Sequence, residues 1–224
     1  MDSLAALNIS IGKIISSRNP KGDLELLTHL YGATDKSNIV EIGPFVGGKS
    51  IILGALALEN NVQFSTFDTF QSQKWRGMSS EQSKTMLENN LSILGDTTHI
   101  TVHIEDSFKS KTIENLKDVS YFCIDGNHSE IHTRNDLDLA KKILSDNGCI
   151  ILDDVYTPFP GILSGLYSFL ADNQDMIPIC FGLSHVWIIK RKHQHFWVQY
   201  ISDKFPEIKK DLAFGQQPVF TLET

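Results

Sequence analysis

The chain has 224 residues, 41% hydrophobic and 21% charged, which suits one domain with a full core and is thin for two. Lys plus Arg is 20 and Asp plus Glu is 27, so the net charge of −7 argues against a nucleic-acid partner. No apolar stretch reaches the ~20 residues that span a bilayer, and no basic segment precedes an apolar run at the start, so neither a membrane partner nor a secretory signal is expected.

Residues 1–36 read as an N-terminal helical segment packed outside the main unit. Asn38 to Gly43 reads as a first strand, followed by a helix from Gly48 to Glu59 with Ile51, Ile52, Ala55 and Leu56 on one face. Val62 to Asp68 is a second strand, and a helix from Ser79 to Leu91 opens on Ser79 or Ser80. His99 to Asp106 is a third strand and Ser120 to Asp125 a fourth, whose unbroken apolar run suits burial on both faces. A helix from Ser129 to Leu144 is expected to stop at Asn147-Gly148, ahead of a fifth strand from Cys149 to Asp154. Pro160-Gly161 opens another helix, and Ile177–Phe181 with Val186–Lys190 reads as an antiparallel hairpin. Residues 193–224 form a polar, aromatic-rich tail of unread role that could cover the core or a partner subunit, which leaves a homodimer open. Cys123, Cys149 and Cys180 each lie in an apolar segment and read as reduced core residues of a cytoplasmic protein.

Five strand–helix units and a hairpin predict an α/β fold, a Rossmann-like doubly wound sheet that is mostly parallel, with helices on both faces. Ligands of such sheets bind at the carboxyl ends of the strands. The residues there are acidic: Glu41, Asp68, Asp106, Asp125, Asp153 and Asp154.

Gly43-Pro-Phe-Val-Gly-Gly-Lys-Ser50 has two readings. It fits G-x-x-x-x-G-K-[ST] letter for letter between a strand and a helix, the setting of a phosphate loop in an NTPase or kinase. Against this, Glu41 places an anion inside the strand end, and the chain has only four arginines to spread phosphoryl charge. Asp68, 27 residues after Glu41, is placed to accept both ribose hydroxyls of an adenosine ligand, with Thr69 beside it. In the second reading the glycines admit a zwitterionic amino-acid group joined to adenosine.

Val40-Glu-Ile-Gly-Pro-Phe-Val-Gly-Gly-Lys-Ser50 resembles the first motif of class I S-adenosylmethionine-dependent methyltransferases. Ile124-Asp-Gly-Asn-His-Ser129, Asn135-Asp-Leu-Asp-Leu139 and Ile151-Leu-Asp-Asp-Val155 resemble the D-G-D-H-S, D-L and L-D-D pattern of small-molecule O-methyltransferases, including Mg²⁺-dependent sugar and natural-product enzymes. The resemblance covers roughly residues 35–192, making 37–192 the expected cofactor-binding domain, with a seven-stranded sheet. It departs from the pattern at Lys49, Asn127 and Glu130. It implies a small-molecule acceptor and S-adenosylmethionine as cofactor, with Gly43 and Gly47 admitting the methionine portion, Ser50 in the same loop, Glu41 near the ammonium, Asp68 and Thr69 at the ribose, and Asp106 and Ser107 facing the adenine. A protein that binds the cofactor without turnover stays a third reading.

Asp125 and Asp153-Asp154 end adjacent strands, which lie ~4.8 Å apart. Three converging carboxylates repel unless a hard cation joins them, so a site for Mg²⁺ or another divalent ion is expected at Asp125, Asp153 and Asp154. His128 is the expected general base, held neutral at pH 7 by a helix's positive end and a nearby cation. Trp75 and Arg76, in a loop over 70–80, and Tyr156 are expected to touch the acceptor.

Overall fold

The computed structural model describes residues 2–13, 21–71, 77–156, 158–214 and 217–222. Two helices come first, α1 (Ser3–Lys13) and α2 (Lys21–Leu30). Five strand–helix units follow: β1 (Asn38–Ile42), α3 (Gly48–Asn60), β2 (Phe64–Phe67), α4 (Ser80–Ser92), β3 (Ile100–His103), α5 (Lys111–Glu114), β4 (Val119–Ile124), α6 (Glu130–Ile143), β5 (Leu144–Leu152) and α7 (Pro160–Asp172). The chain ends in β6 (Met176–Phe181), β7 (Val186–Lys190), α8 (Gln194–Lys204), β8 (Lys209–Phe214) and β9 (Gln217–Thr221).

Among the described residues nine strands join one sheet in the order β3-β2-β1-β4-β5-β7-β6-β9-β8. The first five are parallel, and β7 enters antiparallel between β5 and β6. The order reverses between β1 and β4, which opens a crevice at their carboxyl ends. Successive residues of the central strands enter opposite cores. Tyr121, Cys123, Cys149 and Ile151 pack with α1, α2 and α3, whereas Phe122, Ile124, Ile150 and Leu152 pack with α6 and α7. That period of two explains why these strands read as unbroken apolar runs. The three cysteines are buried and free. Among the described residues no helix is long and apolar enough to cross a membrane.

Two expectations change. Asn147-Gly148 does not end a helix; it lies inside β5. The Asn147 side chain donates to Ala33 O at 2.7 Å and accepts from Trp197 Nε1 at 2.8 Å, so tertiary partners satisfy a residue that alone favours a helix end. The sheet also has nine strands among the described residues rather than seven, because the tail belongs to it. Trp197 and Ile201 of α8 are buried, and β9 pairs parallel with β6 through Cys180–Phe220 and Phe181–Thr221. α4 opens as expected on Ser79, whose hydroxyl accepts from Gln82 N while the Gln82 side chain accepts from Ser79 N.

Candidate active site

Hydrogen bonds that continue past the strand ends line up the chemistry. Asp68 N donates to His103 O, Gly43 N to Phe67 O, Asp125 N to Ile42 O and Asp153 N to Ile124 O. Asp68, Gly43, Asp125 and Asp153 therefore form one row across the carboxyl edge of β2, β1, β4 and β5. At its centre β1 must turn hard against β4. Gly43 has φ +77°, and a Cβ there would lie 1.9 Å from Asp125 O. Gly43→Ala is therefore expected to cost more than about 2 kcal/mol, read as a loss of urea midpoint; an unchanged midpoint would contradict this packing.

Lys49, in the first turn of α3, points into the row. Its Nζ donates to Asp125 Oδ2 and to Asp153 Oδ2, each at 2.6 Å, and its side chain is 4% exposed. Burial opposes the ammonium, but Asp125, Asp153 and Glu41 outweigh it and hold its pKa well above the ordinary value. Asp153 accepts three hydrogen bonds among the described residues. Its Oδ1 accepts from Ser184 Oγ at 2.6 Å and from Asp154 N at 2.7 Å, while Oδ2 accepts from Lys49 and lies 3.2 Å from His185 Nε2. Burial opposes its charge, yet His185 and Lys49 keep its pKa well below the usual range. Asp125 is pushed up, chiefly by burial, with Asp153 adding to it and Lys49 opposing.

His185 extends the network to the N-terminal segment. Its Nδ1 lies 2.7 Å from Asp23 Oδ2, and Asp23 also accepts from the backbone N–H of Leu183, Ser184 and His185. Neither Asp23 nor His185 stood out in the sequence.

A second cluster faces the crevice mouth. Asp154 sits at φ +62°, so its carboxylate leaves the row and reaches 3.1 Å from His128 Nε2. Asp125 Oδ1 lies 3.7 Å from the same nitrogen. The His128 ring stacks on Phe159, with centroids 4.3 Å apart at 17°. Asp125 and Asp154 raise the pKa of His128 to about 9 against the effect of burial. The neutral imidazole expected at pH 7 assumes a cation beside it; by themselves the two carboxylates favour the protonated ring. Phe159 was also missed; a half-exposed aromatic before Pro160-Gly161 carries no site signal in sequence.

The other expected positions fall as follows. Glu41 is fully buried, and Ser50 Oγ donates to its Oε2 at 2.6 Å, as does Thr66 Oγ1 at 3.3 Å. Its Oε1 has no hydrogen-bond donor among the described residues, and burial raises the carboxyl to about 7 against Lys49 and Ser50. Asp68 Oδ1 closes a turn with Phe70 N at 2.7 Å, with Thr69 inside that turn. Gly47 takes φ +92° as the cap of α3. Asp106 Oδ1 accepts from Phe108 N at 3.1 Å. Ser107 hydrogen-bonds Asp136, a carboxyl raised by burial to about 6. Tyr156 is 60% exposed just beyond Asp154. Trp75 and Arg76 lie outside the described residues. A cleft lined by Thr28, His29, Lys36, Glu59 and Lys204 holds none of these positions.

Both groups implied by the resemblance can be tested against these donors. An amino-acid ammonium and an adenosine ribose fit. Among the described residues Glu41 Oε1 is a buried acceptor without a donor, and Asp68 stands one strand away. A three-carboxylate Mg²⁺ site does not fit these donors, because the Lys49 ammonium holds Asp153 Oδ2 while Ser184 Oγ and Asp154 N hold its Oδ1. The residual acidic cluster is Asp125, His128 and Asp154, whose ligand atoms lie within 4.8 Å of one another.

A doubly wound sheet with an acidic row at its switch point defines the chain as a Rossmann-like α/β protein. The phosphate-loop reading fails at its own lysine, whose ammonium is held by two carboxylates. A family model described as a methyltransferase domain matches residues 40–155, just over half of the chain, and the chain belongs to that family. Solved structures share the fold. The O-methyltransferase NovP matches at TM-score 0.60 and 17% identity over 74% of this chain and 76% of its own. CalS11, a TDP-rhamnose 3'-O-methyltransferase of calicheamicin biosynthesis, matches at 0.59 and 13%, over 84% and 92%. TomG from Streptomyces achromogenes, in complex with S-adenosylmethionine, matches at 0.55 and 14%, over 84% and 87%. No curated protein sequence matches the chain.

Proposed function

We propose that this methyltransferase uses S-adenosylmethionine to methylate a hydroxyl of a small molecule, such as a vicinal diol on a sugar or natural-product scaffold. The observation that carries this reading is His128, held between Asp125 and Asp154 at the crevice mouth and backed by Phe159. The names of NovP, CalS11 and TomG support the oxygen acceptor, and the acidic surface agrees with a small-molecule rather than nucleic-acid partner. Glu41, Gly43 and Gly47 would hold the methionine portion, Asp68 and Thr69 the ribose, and Asp106 and Ser107 the adenine edge. When bound, S-adenosylmethionine supplies a methyl group on a sulfonium. Asp125 and Asp154 orient the His128 ring, and the positive charge of a cofactor held in the crevice would lower its pKa. His128 then takes the hydroxyl proton as the oxygen is alkylated. Phe159 and the exposed Tyr156 offer the acceptor an apolar wall. Mg²⁺ is left out of this reading because the Lys49 ammonium already holds Asp125 and Asp153, two of its three expected ligands.

The test is incubation with S-adenosylmethionine and a panel of nucleotide sugars, catechols and polyhydroxylated aglycones. Gain of one methyl group on oxygen supports the reading. Transfer only to nitrogen or carbon acceptors would overturn it.

A further inference from the structure

We propose that the Lys49 ammonium is the resident cation of this site, standing where a divalent ion would otherwise join the strand-end carboxylates, so that the chain works without a bound metal. The inference rests on the reading above only in taking the carboxyl edge as the reacting site. Asp125 and Asp153 lie side by side on adjacent strands, and one counter-charge must hold them. Lys49 Nζ supplies it at 2.6 Å to each, from a side chain that is 4% exposed. A divalent ion and this ammonium cannot share Asp125 Oδ2 and Asp153 Oδ2, because two cations in one low-dielectric pocket repel. The other Asp153 oxygen already accepts from Ser184 Oγ and Asp154 N, and His185 Nε2 lies 3.2 Å from Oδ2. Lys49 is fixed from the opposite side by α3, whose first turn follows the glycine loop, and Glu41 adds a third carboxylate near it.

The ammonium also explains the division of labour between the two aspartates after β5. Asp153, tied to Lys49, turns inward and is structural. Asp154, at φ +62°, turns outward to His128. In this site the carboxylates are held by a covalently attached cation, and the acceptor oxygen is left to His128.

The experiment is Mn²⁺ binding to the full-length, chelator-treated protein, read by the loss of the free-ion signal in electron paramagnetic resonance. The wild type is expected to leave Mn²⁺ free. Lys49→Ala, which empties the position, is expected to bind one equivalent on the order of tenfold or more tighter, because affinity for hard cations follows ligand charge. Its melting temperature should rise on adding Mn²⁺, while that of the wild type should not. Should Lys49→Ala fail to fold, the wild type decides alone: one tight equivalent of Mn²⁺ that Asp154→Asn abolishes would overturn the proposal. A folded Lys49→Ala that ignores Mn²⁺ would overturn it as well. Binding of S-adenosylhomocysteine by the same wild-type sample is scored separately, so a failure of the cofactor reading is distinguished from a failure of this one.

Discussion

His128→Ala is expected to lower kcat by about a hundredfold or more while leaving the affinity for S-adenosylhomocysteine within a few-fold of wild type. The asymmetry follows from position. His128 stands with Asp125 and Asp154 at the mouth, whereas the proposed cofactor contacts run from Glu41 to Ser107 along the other side of the switch point. Its resting pKa of about 9 sets the sign of the pH dependence. A base must be neutral to act, so the wild-type rate should climb with pH, with an apparent pKa at or below about 9 once a cationic ligand is bound. His128→Ala should lose that arm. An unchanged kcat would remove His128 as the base and favour a protein that binds the cofactor without turnover. Loss of cofactor binding in the variant would make the residue structural.

The second large effect is remote from the chemistry. Asp23→Ala is expected to destabilise the fold by about 3–5 kcal/mol, a drop in Tm on the order of 10 °C. Asp23 is fully buried, and its removal strands the N–H groups of Leu183, Ser184 and His185 together with the His185 ring. The same pair has a pH signature. Burial opposes charge on His185, but Asp153 and Asp23 lift its pKa from 6.5 to about 9. A pKa raised in the folded state contributes stability in full below 6.5 and loses it as pH rises through about 9. Asp23 lies below its ordinary 3.8, since His185 and the backbone donors outweigh burial, so its share is lost only as pH falls into strong acid. Wild-type stability should therefore decline between neutral pH and pH ~10, and Asp23→Ala should flatten that decline. Equal slopes for the two proteins would show that this pair does not carry the dependence.

Much of the frame was legible because two periodicities carry it. The apolar runs of β4 and β5 follow from burial on both faces, and the helical stripes between them place the crossovers. Strand ends then located the acidic row without any structure. Side-chain direction was not legible. Lys49 reads in sequence as a phosphate ligand or as a departure from the methyltransferase motif, and only the closeness of β1, β4 and β5 shows that its ammonium turns back onto two carboxylates. The φ of Asp154, which parts it from Asp153, leaves no mark in a run of two identical letters. Asp23 was hidden by distance, since its partner lies 162 residues away. The tail was hidden likewise, because β9 joins the sheet only through β6, long after both hairpin strands were placed.

The account turns on what the glycine turn and its acidic row bind. The most direct measurement is calorimetric titration of the purified chain with S-adenosylhomocysteine and, separately, with ATP, each with and without Mg²⁺. Micromolar binding of S-adenosylhomocysteine, indifferent to Mg²⁺, with no heat from ATP, is the predicted result. Tight Mg²⁺-dependent binding of ATP with no response to S-adenosylhomocysteine would contradict it.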